Sequence, residues 1–184
     1  MIRRTGNTGA LVRLSSDSGP SRLTGKLPMA EQVLPDDFKE FLKLLNESSV
    51  EYLLIGGYAV GYHGYPRATA DMDIWVAISA GNASKLVDIF KRFGMRDPKL
   101  TEDLFLESGK IVRMGVPPMR IEVLTEIDGV TFEECYADRL TVEIDGQPVT
   151  LISRHHLRQN KRASARHKDL DDLENLPESD SANR

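Results

Sequence analysis

Residues 55–76 read IGGYAVGYHGYPRATADMDIWV. The four residues Tyr52-Leu53-Leu54-Ile55 ahead of the glycines form a short apolar run, the pattern of a buried strand. That strand ends in Gly56-Gly57, and Tyr58 to Tyr62 follow as a short helix, broken by Pro66. Beyond it Asp71, Asp73 and Trp75 alternate with Met72, Ile74 and Val76. Period-two alternation predicts a second strand with one polar and one apolar face.

The flanking sequence supplies helices and further strands. Asp36 and Asp37, followed by Phe38, Phe41, Leu42 and Leu45 at helical spacing, predict an amphipathic helix over 36–47. Leu86, Ile89, Phe90 and Phe93 predict another, capped by Asn82 or Ser84. Residues 103–107 and 110–114 are expected to form a hairpin about Ser108-Gly109, and 121–127 a strand entered after Pro117-Pro118. Leu140–Ile144 and Val149–Ile152 flank Asp145-Gly146, a strong two-residue turn signal. Ser153 is placed to cap a C-terminal helix, with a second helix ending near Leu176. No repeat interrupts this order. It predicts an α/β (α+β) domain: a small mixed β-sheet with flanking helices and helices at the C-terminus.

Composition bounds the answer further. The chain has 184 residues, 40% hydrophobic and 28% charged, as in an ordinary globular domain. One cysteine, Cys135, excludes a disulfide framework and a cysteine-based zinc site. No apolar run is long enough to span a bilayer. A net charge of −4 argues against a protein that coats nucleic acid. These features lead us to expect a cytoplasmic protein with no membrane partner. Residues 1–30 carry Ser, Gly, Thr and Arg without apolar periodicity and are expected to be a disordered tail. Met29 as the true start and an Arg-rich transit peptide are the other readings of that stretch. The domain is expected over 31–177, with 178–184 frayed.

Three features carry chemistry. Gly56 and Gly57 let the backbone approach a ligand closely, and the helix that follows offers free N–H groups suited to phosphate; taken alone, Gly-Gly is more simply a tight turn with no ligand. Asp71 and Asp73, two apart on a strand, project the same way, and their mutual repulsion would be relieved by a divalent cation; a solvated polar face is the alternative. Glu122, in RIEVL, lies opposite Ile121 and Val123. It either completes a three-carboxylate cluster with a neighbouring strand or is an exposed acid paired with Arg120. Three such acids can hold two metal ions that activate a nucleophile and stabilise a leaving oxygen.

A strand ending in Gly-Gly, a short helix, Asp-x-Asp on a second strand and a third acid on a later strand together resemble the DNA polymerase beta-like nucleotidyltransferase superfamily. Within it the chain is most similar to small AbiEii-type toxin-like bacterial proteins. The resembling segments are GGYAVGYHGYPRATADMDIWV, VPPMRIEVLT and SRHHLRQNKRASARHKDLDDLENL, roughly residues 37–176. The resemblance implies that Asp71, Asp73 and Glu122 are catalytic and bind Mg2+ or Mn2+, with Asp73 or Glu122 deprotonating the acceptor. It implies that Gly56, Gly57, Arg67, Thr69 and Lys161 bind the nucleoside triphosphate. The activity it implies is transfer of a nucleoside monophosphate to a hydroxyl of an RNA 3′ end, a protein or a small molecule. A toxin–antitoxin or defence setting follows, with an antitoxin protein or a homodimer as partner. Two departures stand out: the third acid is Glu, not the commoner Asp, and 13 residues separate Gly57 from Asp71, at the long end of the superfamily spacing.

The stretch Arg154–Lys168 holds Arg154, Arg158, Lys161, Arg162, Arg166 and Lys168 without an acid. We expect Lys161 at the site and the others mostly on the surface. Adjacent His155 and His156 point apart on a helix and are not a metal pair; His63 is expected to be a packed or surface histidine, and Cys135 and Trp75 packing residues. Against the enzyme reading stand a catalytically inactive nucleotide-binding or partner-binding module and, more remotely, a sugar-nucleotide transferase.

Overall fold

The computed structural model describes residues 33–116 and 119–178. The expected tail at 1–30, residues 179–184 of the expected frayed end, and Pro117-Pro118 lie outside the described residues. Six strands form one sheet in the order β3-β4-β2-β1-β6-β5. They are β1 (Tyr52–Ile55), β2 (Asp71–Val76), β3 (Ile111–Val116), β4 (Met119–Leu124), β5 (Leu140–Ile144) and β6 (Gln147–Leu151). The β2–β4 and β1–β6 pairs are parallel and the other three antiparallel, so the sheet is mixed as expected. Seven helices accompany it among the described residues: α1 (Asp36–Glu47), α2 (Gly56–Tyr62), α3 (Ala80–Arg92), α4 (Asp103–Leu106), α5 (Phe132–Ala137), α6 (Arg154–Ser164) and α7 (His167–Asn175). None is long and apolar enough to cross a membrane.

The core follows the sequence periodicities. On α1, Phe38, Phe41, Leu42 and Leu45 are buried, and Phe41 meets Phe90 and Phe93 edge-on, each at 5.6 Å between centroids. The β1 strand is buried along its whole length, which is why its sequence shows no alternation. Asp145 and Gly146 both adopt positive φ, 50° and 73°, in the two-residue turn joining β5 to β6, the mirror-image geometry that matches strand twist. The Asp145 carboxylate also accepts from the Leu34 amide at 2.9 Å and pairs with Lys39 at 2.7 Å, tying the entry of α1 to this turn. Trp75 sits on β2, buried and edge-on to Phe132 at 5.2 Å. Among the described residues its Nε1 is the one buried side-chain polar atom without a hydrogen-bond partner.

Three local expectations need correction. The hairpin expected from 103–107 and 110–114 does not form. Asp103–Leu106 is a helical turn whose Phe105 is buried against Phe90, and β3 pairs instead with β4. Burial of one aromatic ring outweighs the weak alternation of that segment. The cap of α3 is Ser79, whose hydroxyl accepts from the Asn82 amide. Asn82 is buried inside the helix, where its side chain donates to Glu51 O and Ala77 O. Finally α2 begins at the bend itself, with Gly56, at φ +63°, as its first residue and Gly57 inside it. Ser153 caps α6 as expected, accepting from the His156 amide.

Candidate functional site

The sheet register arranges the acids. Asp73 on β2 lies beside Glu122 on β4, and Glu122 lies opposite Arg113 on β3. On the other side Asp73 faces Ile55 of β1, directly ahead of Gly56. One row across four strands therefore reads Arg113, Glu122, Asp73, Ile55. Two residues along, a second row reads Gly115, Arg120, Asp71. Residues two apart share a face, so three carboxylates and two guanidinium groups share one patch of sheet at the mouth of the Gly-Gly bend.

The glycines are required by close approach. Gly56 has φ +63°, and a Cβ placed there would lie 1.9 Å from Asp73 Oδ2. A Cβ on Gly57 would lie 2.4 Å from Thr69 Oγ1. Thr69 in turn donates to Asp71 O at 3.2 Å, holding the strand entry against the bend. Gly56→Ala combines left-handed strain of about 1–2 kcal/mol with displacement of the Asp73 carboxylate. Urea unfolding of this variant should show at least that loss; an unchanged midpoint would mean that the bend relaxes freely.

The electrostatics separate the three acids. Burial, with the charges of Glu122 and Asp71 behind it, pushes the Asp73 carboxyl up to about 6. Asp71 accepts from Arg120 Nε at 3.0 Å and Nη2 at 2.9 Å, and this guanidinium holds it below the usual carboxylate range. Glu122 Oε1 accepts from Arg113 Nε at 2.8 Å. With the arginines so placed, no three acid, histidine or cysteine side chains among the described residues are grouped to hold a metal ion. The chemistry of the donor set nevertheless fits a hard divalent cation: carboxylate oxygens only, with Asp73 short of positive charge. Such a cation would compete with Arg113 and Arg120 for the carboxylate oxygens they hold.

A second cluster backs the first. Lys161, 5% exposed, donates to Asp169 Oδ1 at 2.5 Å and pairs with Asp172 at 2.8 Å. Arg67 holds Asp172 by two parallel bonds, Nε to Oδ1 at 2.6 Å and Nη2 to Oδ2 at 2.9 Å. Asp169 also accepts from Ser164 and Arg166, each at 2.7 Å. Burial works to raise the Asp169 pKa, but bonds from Lys161, Ser164 and Arg166 outweigh it and hold the carboxyl down at about 2. The geometry depends on Ala165, whose φ of +51° ends α6 and folds α7 back so that Asp169 meets Lys161.

All eight residues singled out from the sequence line one cavity of about 610 Å³. Arg113, Arg166, Lys168 and Asp169 line it too. Arg166 and Lys168 thus belong to the cavity wall, not only to the general surface. Arg113 carried no motif; its place opposite Glu122 follows from register alone. Asp169 and Asp172 look in sequence like solvated charges, yet they are 2% and 0% exposed. His63 lies outside the cavity, its Nε2 2.8 Å from Ile152 O, and burial lowers its pKa. His156 is held by Ser153 through Nδ1 at 3.0 Å. Cys135 is fully buried, and burial followed by the charges of Glu134 and Asp138 pushes its thiol up to about 12, so it is an inert packing residue.

Neither a protein-family model nor a curated protein matches this chain. Solved structures do match. A Thermotoga maritima protein provisionally classed as a nucleotidyltransferase superposes on 74% of this chain and 88% of its own length, with TM-score 0.52 and 15% identity. An antigenic nucleotidyltransferase-like protein from Paracoccidioides brasiliensis covers 75% of this chain and 72% of its own, with TM-score 0.48 and 19% identity. The first likeness is one of fold: the mixed six-stranded sheet and its helices are nucleotidyltransferase-like.

Proposed function

We propose that the protein is a metal-dependent nucleotidyltransferase that moves a nucleoside monophosphate from a nucleoside triphosphate to an acceptor hydroxyl. The observation that carries this is the row in which Asp73 and Glu122 stand side by side, with Asp71 two residues away, next to the Gly56 bend. The shared fold supports it.

In the reaction an acceptor oxygen attacks the α-phosphorus in line. The new O–P bond forms as the bond to the bridging oxygen breaks, and pyrophosphate leaves. Asp73 or Glu122, side by side on neighbouring strands, would help take the acceptor proton. Asp71, Asp73 and Glu122 would hold Mg2+ or Mn2+, which when bound supplies charge for the phosphoryl oxygens and acidifies the nucleophile. Gly56, Gly57 and Thr69 shape the bend where the polyphosphate would lie, with Arg67 and Lys161 on the cavity wall. Because the cavity is lined chiefly by charged and polar groups, positioning and electrostatics do most of the catalysis. The AbiEii-type sequence resemblance extends the reading to a toxin–antitoxin or defence setting with an antitoxin protein as partner.

The test is incubation of purified protein with Mg2+, each labelled nucleoside triphosphate, and total RNA or lysate. Transfer of label to one acceptor class is the expected result, with pyrophosphate released in equal amount. Mg2+ binding to the free protein should tighten as pH rises through about 6, because Asp73 must be ionised to ligate the cation and its raised pKa delays ionisation until then. A flat profile from pH 5 to 8 would remove Asp73 from that role. The arginines on Asp71 and Glu122 favour one other reading, a module that binds nucleotide without turnover. Binding heat with no label transferred in any mixture would establish that reading.

A further inference from the structure

Five cations in or beside the cavity wall sit on acids, in two sets. Arg67, Lys161 and Arg166 are engaged with Asp169 and Asp172, whose carboxylates are almost wholly buried. Removing Lys161 from this cluster would strand buried charge, so it is held in place. Arg113 and Arg120 differ. Their side chains are 54% and 35% exposed, and each sits on an acid assigned above to the cation. Arg120 covers both oxygens of Asp71, and it also lies 3.8 Å from Glu122. Arg113 takes Glu122 Oε1.

A divalent cation and a guanidinium group compete for the same oxygens. Arg113 and Arg120 hold three of the four oxygens of Glu122 and Asp71, so a cation that takes those oxygens competes with both arginines. Both pairs keep one partner substantially open to solvent, so neither is locked as Lys161 is, although the two-bond Arg120–Asp71 pair is the stronger of the two. The displaced guanidinium groups remain anchored on β4 and β3, beside the place where their carboxylates now hold the cation. A nucleoside triphosphate still carries about two net negative charges once its divalent metal is bound, and its oxygens suit the planar guanidinium fork. We infer that Arg113 and Arg120 are polyphosphate-binding residues, which exchange Glu122 and Asp71 for the triphosphate oxygens as the cation takes the carboxylates. This rests on the function proposed above.

Partner exchange has a signature that a structural role lacks: the two affinities move in opposite directions. Mn2+ binding alone is read from the loss of free-ion paramagnetic resonance signal. Nucleotide binding is read by calorimetry with α,β-methylene analogues of ATP, GTP, CTP and UTP in saturating Mn2+. Arg113→Gln is expected to bind Mn2+ about two- to fivefold more tightly, since a competitor is gone. It should bind the preferred analogue about tenfold or more weakly, the loss of a charge-assisted contact. Arg120→Gln should behave likewise, and Arg113→Lys should recover part of the nucleotide affinity. Circular dichroism checks that each variant is folded. Unchanged affinities, or both falling together in both glutamine variants, would overturn the inference while leaving the nucleotidyltransferase reading intact. A wild-type protein that binds no analogue would overturn both.

Discussion

Asp73→Asn protein is expected to fold normally and to lose nucleotidyl transfer by about a thousandfold, the scale on which removal of one preorganised electrostatic group acts. Asn keeps the size of the side chain and so respects the packing against Gly56, where there is no spare volume. What it removes is a charge that the fold itself disfavours. The carboxyl is raised to about 6 by burial first and then by Glu122 and Asp71. A raised folded-state pKa means that ionised Asp73 costs stability at any pH above about 6 and less below it. The variant should therefore match or exceed the wild type in thermal midpoint at pH 7.5 while its rate collapses. Activity near the wild-type value would end the assignment of Asp73 to the chemistry. Loss of rate together with a lower midpoint would show a structural role instead.

Asp172→Ala carries the largest expected effect on stability, about 3–5 kcal/mol. The carboxylate is 0% exposed and holds Arg67 and Lys161 at once. Truncation leaves Lys161 with Asp169 alone and Arg67 with no counter-charge in a partly buried position. The neighbouring Asp171 is exposed and its carboxylate accepts from the Tyr65 hydroxyl at 3.1 Å, so Asp171→Ala should stay within about 0.5 kcal/mol of wild type. Urea unfolding of the pair at pH 7 makes the comparison. Equal, small losses would show that the buried cluster contributes nothing that apolar packing could not replace.

The parts of the fold legible from the sequence are those governed by local rules. The alternation over 71–76 put Asp71 and Asp73 on one face, the Asp-Gly pair marked the β5–β6 turn, and Ser153 marked the start of α6. Strand order is a different matter. Nothing local places β4 beside β2, yet that adjacency alone brings Glu122 to Asp73. The same holds for Arg113, which reaches the site only because β3 is the outer neighbour of β4. The helix α5 escaped notice because it is short and buries only Phe132 and Cys135. The Lys161–Asp169 contact was hidden for another reason. The two residues belong to different helices, and a non-glycine residue at positive φ, Ala165, makes the turn between them. No composition signal marks that turn.

Trp75 gives the protein a built-in optical probe. It is the sole tryptophan of the chain, and its indole N–H is sealed away from solvent with no hydrogen-bond partner among the described residues. Emission from such a ring should be blue-shifted in the native state and move to the red when the sheet opens. Because the ring lies on the same strand as Asp71 and Asp73, two residues past the latter, ligand titrations could be followed by intrinsic fluorescence with no label attached.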